Sequence, residues 1–134
     1  MEQHYKPINA SRLGDCCEAH SDHYFAALTA LARARHDLGD VSDNLKRRSA
    51  EISTSLRRQH DADKVKYTEG SIAAGVEAHE AVMPLRAELR KKELEVANLV
   101  AQVSALEARG IQLSNLVRLN TSNGGMVEKN GCTC

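Results

Sequence analysis

Residues 89–117 read LRKKELEVANLVAQVSALEARGIQLSNLV, and this stretch decides the fold class. Leu89, Val96, Leu99, Val103, Leu106, Leu113 and Val117 fall on alternating a and d positions of a seven-residue repeat. On a helix, that spacing holds one apolar stripe facing one way. Lys92, Gly110 and Asn120 interrupt the same register, so the pattern runs for about five heptads and predicts a coiled-coil helix. Upstream, Pro84 either limits the helix or sits in its first turn. Downstream, Thr121-Ser122-Asn123-Gly124-Gly125 is rich in helix breakers, and 121–134 is expected to be a flexible tail.

Working back toward the N-terminus, a second stripe consists of Tyr24, Leu28, Leu31, Leu38, Val41, Leu45, Ile52 and Leu56. Ser21 is a good N-cap for it, with Asp22 in the first turn, and the helix should run to about His60, about 60 Å at 1.5 Å per residue. The stripe shifts at Gly39, where a bend is expected. A polar hinge near 59–68 follows, and Thr68 can cap a short helix carrying Ile72 and Val76. Residues 1–20, with Pro7 and Gly14, show little periodic order and are expected to be irregular apart from a short helix near Leu13 to Ala19.

The expectation is therefore all-α: a long helical hairpin over 21–120 with a coiled-coil C-terminal helix. Leu94, Val100, Ile111, Leu116 and Leu119 lie off its seam, and an exposed apolar face of that kind marks an interface. The hairpin is thus expected to assemble as a homo-oligomer.

Composition agrees with narrow helical stripes. Alanine supplies 18 of the hydrophobic residues, Leu, Ile, Val, Met and Phe together supply 31, and Trp is absent. An aromatic-lined cofactor pocket is not expected, and no apolar run approaches the roughly 20 residues that cross a bilayer. The first residues lack the pattern of a secretory signal. A soluble, cytoplasmic protein with Cys16, Cys17, Cys132 and Cys134 as reduced thiols is the expectation.

Charge is level overall, 18 Lys+Arg against 18 Asp+Glu, but it is not evenly placed. Residues 45–67 hold Lys46, Arg47, Arg48, Arg57, Arg58, Lys64 and Lys66 against Glu51, Asp61 and Asp63. That surplus, repeated around an oligomer, would form the footprint of a phosphate-backbone binder. A solvated face with local ion pairs is the competing reading of the same residues.

Cys16-Cys17-x-x-His20-x-x-His23 brings thiols and imidazoles together, yet neither it nor Cys132-x-Cys134 has the spacing of a zinc knuckle. No metal or other cofactor is expected. Cys-x-Cys also ends doubly prenylated small GTPases, but no phosphate loop accompanies it here. The six histidines are scattered, no triad can be assembled from them, and no enzyme is expected.

From Tyr67-Thr68-Glu69, through Ile72, Val76 and the heptads, to Ala105-Leu106-x-x-Arg109-x-x-x-Leu113-x-x-Leu116, the chain resembles the phage recombination mediator (UvsY-like) family. In that family an aromatic-x-Glu opening leads to a helix ending in A-[LI]-x-x-R-x-x-x-L-x-x-[LI]. The resemblance covers about residues 67–116. It implies a small helical protein that forms ring-like homo-oligomers, binds single-stranded DNA, and helps a RecA-like recombinase assemble on DNA covered by single-strand-binding protein, in the cytoplasm of a phage-infected host. It also implies a basic DNA-binding stretch before the Tyr-Thr-Glu opening, the region of Arg57, Arg58, Lys64 and Lys66. Arg109 matches a family arginine, at a g position suited to an intersubunit ion pair. A structural coiled-coil scaffold or adaptor, in a virion for instance, is the alternative.

Overall fold

A computed structural model describes residues 12–122. Among the described residues the fold is all-helical: α1 (Leu13–Ala62), α2 (Glu69–Glu77) and α3 (Met83–Ser122). No helix among them is long and apolar enough to cross a membrane. The described helices fall into two units: unit 1 takes α1 up to Ala32 and α3 from Ala97 onward, and unit 2 takes residues 33–96.

α1 starts earlier than Ser21. The residue that looked like an N-cap lies inside the helix, where its hydroxyl donates back to the carbonyl of Cys17, at 3.2 Å. A serine can satisfy its hydroxyl this way four residues into a turn, so cap-forming residue type alone does not mark a start. Leu13 and Cys16 extend the stripe upstream, and both are fully buried. The short helix expected near Leu13 to Ala19 is thus the start of α1, continuous with the long helix. Gly39 lies within the same continuous helix, with open space where a side chain would go.

Unit 1 is an antiparallel pair. Along α1, Leu13 clusters with Leu113, His20 faces Gly110, and the Tyr24 hydroxyl donates to Glu107 Oε1 at 3.2 Å, so rising numbers on one helix meet falling numbers on the other. The a/d stripe of α3 is what turns inward: Val103, Leu106 and Leu113 are buried, with Ala27 and Leu31 buried on α1. Leu116, placed off the seam by its register, packs against the Leu13, Cys16 and Leu113 cluster and is half-buried. The cluster sits at the N-terminus of α1, which draws the g position into contact. Leu94, Val100, Ile111 and Leu119 are exposed, as is Phe25 at 72%.

Unit 2 is built around Ile52, Val76 and Val82, with Leu45, Leu56 and Ala81 against them. α1 ends in a Schellman turn: the Val65 N–H donates to His60 O at 2.9 Å and the Lys64 N–H to Asp61 O at 3.2 Å. Lys64 occupies the left-handed position that glycine usually takes, at φ 55°. Tyr67 then folds back on the His60 ring, with centroids 5.5 Å apart. Thr68 caps α2 as its sequence position predicts, through a reciprocal box with Ser71 in which both bonds are 3.1 Å. Gly75 lets α2 lie close to α1, since a Cβ there would stand 3.0 Å from Leu56 Cδ1. Pro84 lies in the first turn of α3, where its missing N–H costs nothing.

Candidate nucleic-acid interface

On a helix turning about 100° per residue, the Leu45, Ile52 and Leu56 face of α1 is opposite Arg47, Thr54 and Arg58. Lys46 and Arg57 form one column and Arg47 and Arg58 the next, each pair 11 residues, hence about 16 Å, apart along the axis. Ala50 and Thr54 separate the two steps, so the cations are not crowded by bulky neighbours.

Ion pairing divides the seven basic residues. Arg48 reaches Glu51 at 3.0 Å, one turn on, and Arg57 is paired with Glu69 at the start of α2. Arg47 donates to the neutral Asn44 side chain at 2.9 Å and keeps its full charge. Lys46, Arg58, Lys64 and Lys66 are exposed and have no ion pair among the described residues. The cationic surface is therefore narrower than the stretch of sequence that contains it. It consists of Arg47 and Arg58 on the outward column of α1, Lys46 on the adjacent column, and Lys64 and Lys66 in the turn that follows.

Beside this face is a cleft of about 200 Å³ lined by Arg48, Glu51, Ile52, Ser55, Leu56, Gln59 and His79. Six of these residues come from one flank of α1 and the seventh from the link between α2 and α3. His79 is set by its own turn, because its Nδ1 accepts the Ala81 N–H at 3.1 Å. Sequence periodicity pointed to Ile52 and Leu56 as core but not to Glu51, Gln59 or His79 as a site. Only the helical positions 48, 52, 55 and 59, one flank at i, i+4, i+7 and i+11, carried a signal.

Unit 1 has a second, more apolar cavity of about 350 Å³ lined by Cys17, His20, Gly110, Leu113, Ser114 and Val117. Here the His20 ring stacks on Tyr24 at 5.9 Å, and its Nδ1 is buried without a hydrogen-bond partner. Its Nε2 lies 2.9 Å from where a Cβ on Gly110 would sit. Burial, then the charges of Arg109 and His23, hold the imidazole pKa below its usual value. Arg109 is half-buried within unit 1, close enough to His20 to act on its proton. Partial burial and the bond to Glu107 raise the Tyr24 phenol.

Cys17 is a free thiol, but Cys16 is disulfide-bonded. The expectation of four reduced thiols is corrected at that position, since pairing depends on which sulfurs the fold brings together and spacing does not reveal it. Cys132, Cys134 and the tail after Ser122 lie outside the described residues. Among the described residues no three histidine, cysteine or acidic side chains are grouped to hold a metal ion.

No family model matches the chain, and no curated protein or solved structure is found to be similar to it.

Proposed function

We propose that this chain is a single-stranded DNA-binding recombination mediator, acting as a homo-oligomer to help load a RecA-like recombinase onto DNA covered by single-strand-binding protein. The observation that carries the reading is the outward pair Arg47 and Arg58 with Lys46 on the adjacent column of the same helix, three exposed cations without carboxylate partners among the described residues. A cation paired to a carboxylate gains little from a phosphate, whereas an unpaired one releases condensed counterions when it binds. The contacts are to the backbone and independent of base sequence, and the reading requires no bond-breaking. Surplus affinity for exposed strand weakens the grip of a competing binding protein by mass action. Repetition around an oligomer turns weak sites into a strong one.

The residues behind the family resemblance also have local structural roles. Tyr67 packs on His60, Thr68 caps α2, Glu69 pairs with Arg57, and Arg109 borders His20. The cation row supports the reading independently of them. Self-assembly is supported by the exposed Phe25, Leu94, Ile111 and Leu119. The proposed setting, a host cytoplasm, is reducing. A disulfide at Cys16 would not persist there.

The test is fluorescence polarisation with labelled oligo-dT over a salt titration, alongside light scattering. Lys46→Ala/Arg47→Ala/Arg58→Ala should lower affinity at least tenfold at low salt and reduce the log–log salt slope by about 2, with oligomer mass unchanged. Equal binding by the triple variant would remove this surface from the mechanism. The same exposed apolar residues favour a second reading, a coiled-coil scaffold for another helix. An oligomer that ignores oligo-dT at low salt would select it.

A further inference from the structure

The cleft beside the cation row has a different chemistry from the row itself. Its one arginine and one carboxylate, Arg48 and Glu51, are paired at 3.0 Å, so the pocket is formally neutral and the Glu51 oxygens oppose a bare phosphate. What the pair offers instead is a donor and an acceptor side by side, the complement of a planar edge that carries both. Across from α1, His79 accepts a backbone N–H at Nδ1. With Nδ1 accepting, the ring N–H is on Nε2, a further donor on a residue that lines the cleft. Gln59 adds an amide that can both donate and accept. Ile52 and Leu56 line the same space with apolar surface suited to the face of a ring. At about 200 Å³ the cleft is smaller than the pockets that take drug-sized ligands, and it matches a single ring system.

The surroundings say where such a ring would come from. Arg47 and Arg58 stand on the neighbouring face of the same helix, about 16 Å apart, before and after the middle of the cleft. We propose that the cleft is a nucleobase subsite: one unstacked base of a single strand enters it and is read along its edge by Arg48, Glu51 and Gln59, while flanking phosphates rest on Arg47 and Arg58. Unstacked bases are the parts of a single strand that proteins hydrogen-bond along an edge. The subsite rests on the DNA-binding reading and adds to it, because backbone contacts alone give affinity that is indifferent to whether bases are present.

The experiment compares a labelled single-stranded oligodeoxycytidylate with its abasic counterpart of equal length, which has the same phosphates and no bases. The full-length chain should bind the intact strand about tenfold more tightly. Glu51→Ala/Gln59→Ala, both at exposed positions, should bring that ratio close to one and leave the abasic strand bound as before or more tightly, since Arg48 is then freed. A ratio of one in the unaltered protein, with salt-dependent binding of both strands, overturns the subsite and leaves the cation row standing. A ratio that the double variant does not change also overturns it. Failure of both strands to bind at low salt overturns the DNA reading, and the subsite with it.

Discussion

Units 1 and 2 are made from parts of the same two long helices, yet they are held by different forces. In unit 1 the helices are close and the α3 part is sparsely charged: between Val96 and Val117 only Glu107 and Arg109 carry formal charge. The layer at His20 shows how close. The imidazole occupies space that any side chain larger than glycine at position 110 would enter. In unit 2 the core cluster is small, Ile52, Val76 and Val82, and much of the organisation is polar: a Schellman turn, a capping box, an ion pair from Arg57 to Glu69, and a histidine fixed by a backbone N–H. Apolar seams specify a partner and little else. A polar surface held in place by short-range bonds can also present charges and hydrogen-bonding groups to a ligand, which is why the candidate interface is in unit 2.

The largest expected effect is in the cores. Leu106→Ala in unit 1 should cost about 3 kcal/mol in urea unfolding, because the side chain is fully buried and its loss leaves a cavity. Hydrogen exchange should then show unit 1 amides losing protection before those near Val76 and Val82. Equal loss in both regions would show that they unfold as one body, and the contrast would fail.

Acid should separate the units next. A histidine whose folded pKa is lowered is stabilising in its neutral form, so its contribution is intact above the unfolded value near 6.5 and declines as pH falls toward the folded one. Unit 1 protection should therefore weaken as pH falls below about 6.5, and His20→Gln should flatten the profile. A pH response that survives this substitution would assign the effect elsewhere.

Lys64→Gly should stabilise unit 2 by about 1 kcal/mol, since the left-handed conformation strains any residue with a Cβ. Its effect on DNA separates two roles. An unchanged salt slope places Lys64 in the turn only, whereas a fall of about 0.7 makes it a phosphate contact as well. Thermal unfolding and the polarisation titration report the two effects separately.

The smallest effect is a coupling. Gly110→Ala should gain most of the roughly 1 kcal/mol of helix propensity when His20 is already alanine, and markedly less when the imidazole is present. Equal gains in the two backgrounds would mean that the ring moves aside freely and that the layer is not a constraint.

The α3 stripe and the Thr68 cap were readable directly, since each depends on residues a few positions apart. Periodicity is a local property and survives as such in the structure. α1 was misread at its start because Ser21 can satisfy its hydroxyl inside a helix as well as at an end. Leu116 was assigned to an open face because heptad position says nothing about where a neighbouring helix terminates. Within the basic stretch, composition located seven cations but could not show that Glu51 and Glu69 neutralise two of them. The carboxylate on Arg57 comes from another helix, 12 residues further on.

By itself, the sequence determined that the described residues are helical, that Val103, Leu106 and Leu113 form the buried stripe of α3, and where positive charge is concentrated, because these follow from spacing along one chain. On α1 the expected stripe residue Leu28 is exposed, and Ala27 and Ala34 are buried instead. Tertiary structure alone decided that Arg57 is paired with Glu69 of α2, that His79 closes a cleft on the flank of α1, and that Gly110 makes room for His20. Each of these depends on the approach of side chains from separate elements, and that distance is set by packing, not by position in sequence.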